Sequence, residues 1–227
     1  MHVVIAGGHG QVARRLTRAL VAQGHTVAGL VRNPAHARDL QDDGARSVVL
    51  DLEEASTAEV AAALDGADAV VFAAGAGPGS GDARKQTVDL GAAVLLADAA
   101  ELAGVRRYLL VSSMGVESVR DAATPEGVDP GFVVYLRAKL AAEEDLRRRD
   151  LDWLVLRPGR LTDEPGTGRV RLGPATGRSD VPRDDVAAVL AALLEGLRRD
   201  PAAGRRVLEL VAGDQPVEEA VARAVGG

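Results

Sequence analysis

Several residue types are absent from this chain or scarce in it, and each absence excludes a class of protein. The 227 residues include no cysteine, which excludes a disulfide-stabilised scaffold and a cysteine-ligated metal site. Aromatic residues make up only 2% of the chain, so Val, Leu and Ala must form the core. The same scarcity removes the stacking platform that single-stranded nucleic acids require. No unbroken apolar run is long enough to cross a bilayer.

The chain also has little net charge. The formal net charge is -6, and the basic residues are dispersed. The run Arg147-Arg148-Arg149 stands near the end of a predicted helix, where cations favour the helix dipole, and we interpret it in that way rather than as a nucleic-acid patch. The chain also shows no basic segment followed by an apolar signal region. We therefore expect a cytoplasmic monomer or homodimer that binds a small molecule, with no nucleic acid, membrane or metal partner.

A glycine-rich turn between a buried strand and an amphipathic helix stands at the beginning of the chain. The apolar run Val3–Ala6 predicts the strand, and apolar residues at helical spacing predict a helix over Gln11–Gln23. The glycines of Gly7-Gly8-His9-Gly10 allow a tight turn and a close approach of a diphosphate, and the helix N-terminus supplies free N–H groups. An ordinary strand-to-helix turn has a similar pattern, but this context is the one that a dinucleotide site requires.

Apolar runs and amphipathic helices alternate along the rest of the chain, which is typical of a parallel sheet covered on both faces. The further predicted strands are His25–Val31, Ser47–Leu50, Ala69–Ala73, Arg107–Ser112, Asp152–Leu156 (ended by Arg157-Pro158-Gly159), Arg169–Leu172 and Arg206–Val211. The further predicted helices are Pro34–Asp42, one with a Ser56/Glu59 capping box that ends near Asp65, Ala83–Ala103, Phe132–Arg149, one capped by Asp184 or Asp185 that ends near Arg199, and one that starts at Pro216. The sequence predicts a doubly wound, Rossmann-like α/β domain over 1–227, with a small substrate-side excursion at about 159–183.

The end of the second strand indicates which dinucleotide binds. An acidic residue there accepts the ribose hydroxyls of NAD, whereas an arginine suits the 2′-phosphate of NADP. This chain has Val31-Arg32-Asn33 and no carboxylate, which favours NADP(H) over NAD(H). Asp51 is expected beside the adenine, although a capping role explains it nearly as well. The small residues Ala73-Ala74-Gly75 let the cofactor pass close to the backbone, and close packing alone explains them equally well.

One tyrosine and one lysine fall on the same face of a predicted helix. Tyr135 and Lys139 are one helical turn apart, and Ser113 follows the carboxyl end of the fifth strand, where open α/β sheets bind ligands. Such a trio donates a proton to a carbonyl that receives hydride, with the lysine charge lowering the pKa of the phenol. Tyrosine–lysine pairs of this spacing also occur on surfaces without any role.

These motifs together resemble the short-chain dehydrogenase/reductase superfamily, and the likeness covers nearly the whole chain. It is greatest to the atypical NAD(P)H-binding members, the epimerase-like and flavin/biliverdin-reductase-like group. The motifs are Gly7-Gly8-His9-Gly10-Gln11-Val12-Ala13, Ala73-Ala74-Gly75, Val111-Ser112-Ser113, Tyr135-Leu136-Arg137-Ala138-Lys139, Arg157-Pro158-Gly159, the end of the second strand, and Val181-Pro182-Arg183-Asp184-Asp185-Val186-Ala187.

The resemblance implies roles for particular residues. Ser113, Tyr135 and Lys139 would be catalytic, with Pro158 against the nicotinamide and Lys139 also on its ribose. Asp89 stands where many relatives have asparagine, so an Asp–Lys ion pair would replace a water relay. The predicted cofactor-binding residues are Gly7, Gly8, His9, Gly10, Gln11, Val12, Arg32, Asp51, Leu52, Ala73, Ala74, Gly75, Ser112, Lys139 and Pro158, with Ala13 beside the diphosphate.

The resulting hypothesis is an NADP(H)-dependent oxidoreductase or epimerase-like enzyme for a small to medium organic substrate. The alternatives are a non-enzymatic NADP(H)-binding redox sensor and a flavin- or biliverdin-type reductase. The short stretch between Gly159 and Asp184 leaves little room for a nucleotide-sugar, which favours simple reduction. We expect the loops Gly75–Gly81 and Glu117–Pro130 to wall the substrate site, unless they are ordinary solvent-exposed loops.

Overall fold

A computed structural model describes residues 1–77 and 79–226, so Pro78 of the predicted Gly75–Gly81 loop and Gly227 lie outside the described residues. The strands are β1 His2–Ala6, β2 Thr26–Val31, β3 Arg46–Val49, β4 Ala69–Phe72, β5 Arg107–Val111, β6 Asp152–Pro158, β7 Arg160–Thr162, β8 Arg169–Gly173, β9 Asp180–Pro182, β10 Arg206–Ala212 and β11 Gln215–Pro216. The α-helices are α1 Gln11–Ala22, α2 Ala37–Asp42, α3 Thr57–Ala63, α4 Asp82–Arg84, α5 Ala92–Leu102, α6 Pro130–Arg147, α7 Arg183–Arg199 and α8 Val217–Val225.

The described strands form a large sheet and a small one. The large sheet has 9 strands in the order β11-β8-β10-β6-β5-β4-β1-β2-β3. Its strands are parallel from β3 through β10, while β8 and β11 pair antiparallel at the far edge. The strand order reverses direction between β1 and β4, which is the place where open α/β sheets bind ligands. The predicted doubly wound α/β fold is confirmed.

Both faces of the large sheet are covered by apolar side chains of helices. One core cluster joins α1, α7 and α8 to the sheet, and the other joins α3, α5 and α6 to its opposite face. Valine, leucine and alanine supply most of both clusters, as the composition requires. A third, smaller cluster packs the 3₁₀ segment Val116–Ala122 against α6 through Val116, Val119 and Leu136.

The sixth strand is longer than the sequence predicts. We expected Arg157-Pro158-Gly159 to end it, but β6 continues through Pro158, which lies opposite Leu210 of β10. Pro158 terminates this interior strand rather than interrupting it. Its missing N–H costs only one ladder bond, and its carbonyl still accepts a hydrogen bond from Met114 N at 3.0 Å.

The predicted cap of the last long helix is wrong. α7 begins at Arg183 directly after Pro182, so Asp184 and Asp185 lie within its first turn. Asp184 pairs with Arg15 at 2.8 Å. Asp185 is buried, and its carboxylate accepts the backbone N–H groups of Thr167 and Gly168 at 3.0 and 2.8 Å, which fixes the loop before β8. Both carboxylates therefore have tertiary partners instead of the expected capping role.

The predicted helix Ala83–Ala103 is interrupted in its hydrogen bonding. Between α4 and α5 the chain adopts a π-helical segment, Lys85–Gly91, which contains the buried Asp89. A π-helical turn contains one residue more than an α-helical turn, so its side chains project in directions that differ from those of a regular α-helix. Such turns are frequent at functional sites. Beyond β6, the strands β7 and β9 pair in parallel as the small sheet, which the glycine- and proline-rich sequence of this region does not indicate.

Candidate functional site

A cleft of about 310 Å³ opens at the carboxyl ends of β1 and β4, where the strand order reverses. Nine of the predicted cofactor-binding residues line it: Gly7, His9, Gly10, Arg32, Asp51, Leu52, Ala73, Ala74 and Gly75. Its other lining residues are Leu30, Val31, His36, Leu50, Glu53, Ala76, Arg84, Val88 and Ala92. The cleft thus runs from the glycine turn to the loops that follow β2, β3 and β4.

The glycine turn has the geometry of a diphosphate cradle. Gly7 has φ +75°, and a Cβ built on it would lie 2.6 Å from Cα of Ala74, so no side chain fits there. Gly10 caps α1 without any side-chain hydrogen bond, which leaves the first-turn N–H groups of Gln11 and Val12 open to an anion. Gly8 has a different role, since a Cβ there would lie 2.7 Å from Cα of Gly29. These residues fit a dinucleotide whose diphosphate rests on the N-terminus of α1.

Arg32 follows the end of β2 and lines the cleft beside a carboxylate. Its side chain is 53% exposed, and its Nη1 is 3.5 Å from Oε2 of Glu53. Glu53 also accepts hydrogen bonds from Thr87 at 2.6 Å and Arg84 at 2.8 Å, and these bonds hold the pKa of its carboxyl below its ordinary value. Asp51 lines the cleft, and its Oδ1 accepts the N–H of Glu53 at 3.0 Å, so the turn role is present as well. A half-exposed guanidinium is therefore available here for a phosphate.

Two histidines stack on the wall beside Arg32. The rings of His9 and His36 are 3.6 Å apart and nearly parallel, and His9 Nε2 lies 2.7 Å from Oδ2 of Asp39. Burial, together with the neighbouring His9, lowers the pKa of His36, which favours its neutral form. The sequence interpretation missed His36, Glu53 and Arg84. The position of His36 just after the second strand was a local signal, whereas Glu53 and Arg84 are distant in sequence.

Lys139 lies at the carboxyl edge of the sheet and is almost completely enclosed. Its side chain is 4% exposed, and Nζ lies 3.2 Å from Oδ1 of Asp89, which is itself fully buried. The ammonium donates hydrogen bonds to the carbonyls of Ala74 and Val111, each at 3.2 Å. Oδ1 of Asp89 has no hydrogen-bond partner within the described residues, so its contact with Lys139 is an ion pair, and one of the three ammonium donors remains open. Lys139 therefore ties the ends of β4 and β5 to the π-helical segment.

Tyr135 and Ser113 lie at the same edge. Nζ of Lys139 is 5.8 Å from the centroid of the Tyr135 ring. Within the described residues the Tyr135 hydroxyl makes no hydrogen bond, and the Ser113 hydroxyl donates to the carbonyl of Met114 at 3.1 Å. Pro158 is adjacent, since its carbonyl accepts from Met114 N. The fold thus brings the ends of β5 and β6 and the first half of α6 together.

Ser112 is turned away from the cleft into a buried charge network. Its hydroxyl donates to Oε1 of Glu143 at 2.6 Å, and Arg157 binds both oxygens of that carboxylate at 2.9 and 2.6 Å. Arg157 also reaches Glu117 at 2.6 Å. The network joins β5, β6, α6 and the 3₁₀ segment beneath Tyr135 and Ser113. Sequence reasoning missed it, although Glu143 follows Lys139 by one helical turn.

Residues 1–77 and 79–226 contain no group of three or more His, Cys, Asp or Glu side chains placed to hold a metal ion. None of the helices in these residues combines the length and the apolar character needed to cross a bilayer.

The sheet order, the glycine turn at the switch between β1 and β4, and the tyrosine–lysine pair on α6 define a Rossmann-type nucleotide-binding protein of the short-chain dehydrogenase/reductase kind. The chain belongs to the NAD(P)H-binding family, whose model matches residues 7–196. Its similarities are to the atypical, epimerase- and reductase-like part of that superfamily.

Three proteins illustrate this similarity. An uncharacterized sugar epimerase of Bacillus subtilis (strain 168) is 33% identical over 222 residues, which cover 97% of this chain and 99% of that protein. A solved structure from Bacillus halodurans, named for the NAD-dependent epimerases/dehydratases, is 34% identical with a TM-score of 0.86 and covers 98% of this chain and 99% of its own. An anaerobillin reductase from Escherichia coli O157:H7 is 26% identical with a TM-score of 0.76, over 94% of this chain and 98% of its own.

Proposed function

We propose that this protein is an NADP(H)-dependent oxidoreductase that reduces a small to medium organic substrate. The observation that carries the proposal is the buried Lys139–Asp89 pair beside Tyr135, at the edge where the nucleotide cleft ends. A protein that only binds the cofactor and catalyses no reaction needs the cleft alone. This chain also has a buried cation beside a phenol that makes no hydrogen bond, which is the arrangement that a proton donor requires. The similarity to a reductase supports the same class of reaction.

The bound dinucleotide supplies hydride, and the residues of this chain bind, orient and protonate. The N–H groups at the start of α1 hold the diphosphate, and Arg32 holds the 2′-phosphate. Tyr135 donates a proton to the substrate oxygen, and Ser113 orients that oxygen once its hydroxyl rotates from the Met114 carbonyl. Lys139 acts through its charge, which stabilises the phenolate that forms as Tyr135 gives up its proton. Two of the Lys139 donors are hydrogen-bonded to the carbonyls of Ala74 and Val111, which leaves a third for the nicotinamide ribose.

Reduction is better supported than epimerisation of a nucleotide-sugar. Residues 159–183 contain β7, β8 and β9, of which β8 joins the large sheet between β10 and β11. A large lobe has no place in so short a segment. The segment Val116–Ala122, which begins the predicted loop Glu117–Pro130, packs against α6 through its own apolar cluster, and Glu117 ties it to Arg157 of β6. It therefore serves as a wall of the substrate site.

A redox sensor is the second candidate, and one observation favours it. Ser113, Tyr135 and Lys139 make no hydrogen bonds to one another within the described residues, and both Ser113 and Lys139 are bonded elsewhere. A sensor would bind NADPH tightly and turn over no substrate.

Titration of the cofactor tests the first half of the proposal. Wild type should bind NADPH more tightly than NADH, and Arg32→Ala should lose roughly tenfold to a hundredfold in NADPH affinity, since a charge-assisted contact contributes about 1.5–3 kcal/mol. NADH affinity should not change. Glu53→Gln is the matched variant, because it removes the carboxylate that competes for Arg32, and it should tighten NADPH. Equal wild-type affinities for the two cofactors would end the NADP assignment.

Tyr135→Phe tests the chemistry, because it keeps the ring and removes only the hydroxyl. With an aldehyde, ketone, quinone and flavin panel, turnover of a carbonyl should fall by about 10²–10⁴ while NADPH affinity stays unchanged. Full activity in the variant would refute the catalytic role and leave the cofactor assignment intact. A flavin-type reductase would tolerate the change. Tight NADPH binding without turnover of any compound would favour the sensor.

A further inference from the structure

Two of the few aromatic side chains lie together beside the proposed proton donor. The chain has two Phe, two Tyr and one Trp. Phe72, Tyr108 and Trp153 are buried in the core. Phe132, in contrast, is 44% exposed and stacks on Tyr135 with ring centroids 5.5 Å apart and planes inclined by 25°. Because α6 starts at the carboxyl edge of the sheet, the exposed face of Phe132 stands at the mouth of the site rather than on a remote surface.

An arginine that makes no ion pair within the described residues lies near the carboxyl end of β5. Arg178 lies between β8 and β9, and a Cβ built on Gly115 would lie 3.3 Å from its Nη2 and 3.9 Å from the side chain of Leu136. Gly115 follows Ser113 by two residues, so the guanidinium lies close to the serine that we propose orients the substrate. Gly115 has φ +91°, so its lack of a side chain both permits this conformation and leaves space for the guanidinium.

The carboxylates nearest in sequence to this position have other partners. Glu117 pairs with Arg120 and Arg157, and Asp180 pairs with Arg160. In residues 1–77 and 79–226 no carboxylate lies within ion-pair distance of Arg178. A planar fork of donors beside a reaction centre is suited to bind a carboxylate or phosphate in two places.

We propose that the substrate is a planar conjugated ring that carries an anionic group, held between these two features. Its ring stacks on the exposed face of Phe132, its anionic group binds Arg178, and its reducible carbon lies between them next to Tyr135. An offset-stacked pair and a charge-assisted contact together orient a flat molecule, whereas an aliphatic or cationic compound would gain neither. The inference rests on the proposed function, since it assigns the substrate of the same site.

Matched probes separate the two contacts. Benzoate and benzyl alcohol differ mainly in charge, and their affinities are measured by calorimetry with and without saturating NADP⁺. Wild type should bind benzoate roughly tenfold to a hundredfold more tightly. Arg178→Gln should abolish that preference, and Arg178→Lys should restore part of it. Phe132→Leu should weaken both compounds to the same degree. Phenyl phosphate in place of benzoate then distinguishes a phosphate from a carboxylate as the preferred anion.

Arg46→Gln is the control for net charge. Arg46 is an exposed residue at the start of β3, at the opposite end of its strand from the cleft, and its removal should change nothing. Turnover gives a second measurement, because 4-carboxybenzaldehyde should exceed benzaldehyde in kcat/KM in wild type but not in Arg178→Gln.

The failure of this inference differs from the failure of the proposed function. Equal affinity of wild type for benzoate and benzyl alcohol, or unchanged benzoate affinity in Arg178→Gln, would overturn the inference even if NADPH is bound and oxidised. A protein that binds benzoate through Arg178 but does not bind NADPH would retain the anion site and refute the oxidoreductase.

Discussion

The nucleotide cleft lies next to the proposed catalytic edge, where Ser113, Tyr135 and Lys139 are found, but different kinds of interaction shape the two regions. The cleft is made by backbone and by missing side chains: a positive φ at Gly7, close contacts that exclude a Cβ, and the open N-terminus of α1. The catalytic edge is made by long charged side chains from distant parts of the chain. Lys139 with Asp89 and Arg157 with Glu143 join strands, helix and π-helical segment there.

The difference determines what each region tolerates. A region shaped by backbone fails when atoms are added, because neither a strand nor a tight turn can move aside. A region held by buried ion pairs fails when a charge is removed, because the remaining partner is left in a medium of low polarity. Substitutions that add a methyl group should therefore damage the cleft most, and substitutions that remove a charge should damage the catalytic edge most.

The largest effect is expected from Glu143→Gln. Removing this buried carboxylate leaves Arg157 without its bidentate partner, and we expect a loss of about 3–5 kcal/mol in the free energy of unfolding. Urea denaturation measures it. Arg106→Gln is the matched control, because it removes an exposed ion pair with Asp150 and should cost at most about 1 kcal/mol. NADPH affinity of the folded Glu143→Gln protein should remain near that of wild type. A loss of under 1 kcal/mol would show that the network does not hold the edge together.

A smaller loss of stability, with a selective loss of binding, is expected from Gly7→Ala. The added Cβ meets Ala74 and disturbs the cradle, so NADPH affinity should fall by more than tenfold. Gly24→Ala separates backbone strain from steric conflict, since Gly24 has φ +83° but a Cβ there meets no atom within 4 Å. Its cost should be about 1–2 kcal/mol of stability, with unchanged binding. Equal binding by both variants would contradict the cradle.

The smallest effect concerns pH and Glu117. Hydrogen bonds from Arg120 and Arg157 lower the pKa of this carboxyl from 4.5 to about 2. A lowered folded-state pKa adds stability above the unfolded value, and that contribution disappears as the pH falls from 4.5 towards 2. Wild type should therefore be slightly more stable than Glu117→Gln above that interval and lose this advantage within it. Glu117 is 49% exposed, so the difference is small. Thermal melts across the interval with no convergence of the two proteins would argue against the pairing.

The sequence was sufficient for the features that depend on neighbours along the chain. The glycine turn, the Ser56/Glu59 capping box and the alternation of strands and helices each arise from local spacing, and the structure contains all of them. The helix ends differ from the predictions by only a residue or two where no tertiary contact intervenes.

Features that depend on distant partners could not be found in this way. The roles of Asp185 and Glu53 are set by residues that lie far from them in sequence, at Thr167 and Arg84. The same reasoning explains the missed strands β7 and β9, which are short and stabilise each other. Ser112 is an example within the site. Its motif resembles that of the family and predicts contact with the cofactor, but its hydroxyl donates a hydrogen bond to Glu143, a residue 31 positions away.

The π-helical segment Lys85–Gly91 makes the catalytic edge sensitive to the number of residues as well as to their identity. A turn closed over one extra residue behaves as an insertion within an otherwise ordinary helix. A one-residue deletion after Asp89 would let the helix become regular while rotating this side chain by about 100° relative to α5. Every amino acid of the site would still be present, yet Lys139 would lose its carboxylate. A sequence alignment that ignores one-residue insertions and deletions in this helix would therefore group proteins that have this lysine–carboxylate pair with proteins that lack it.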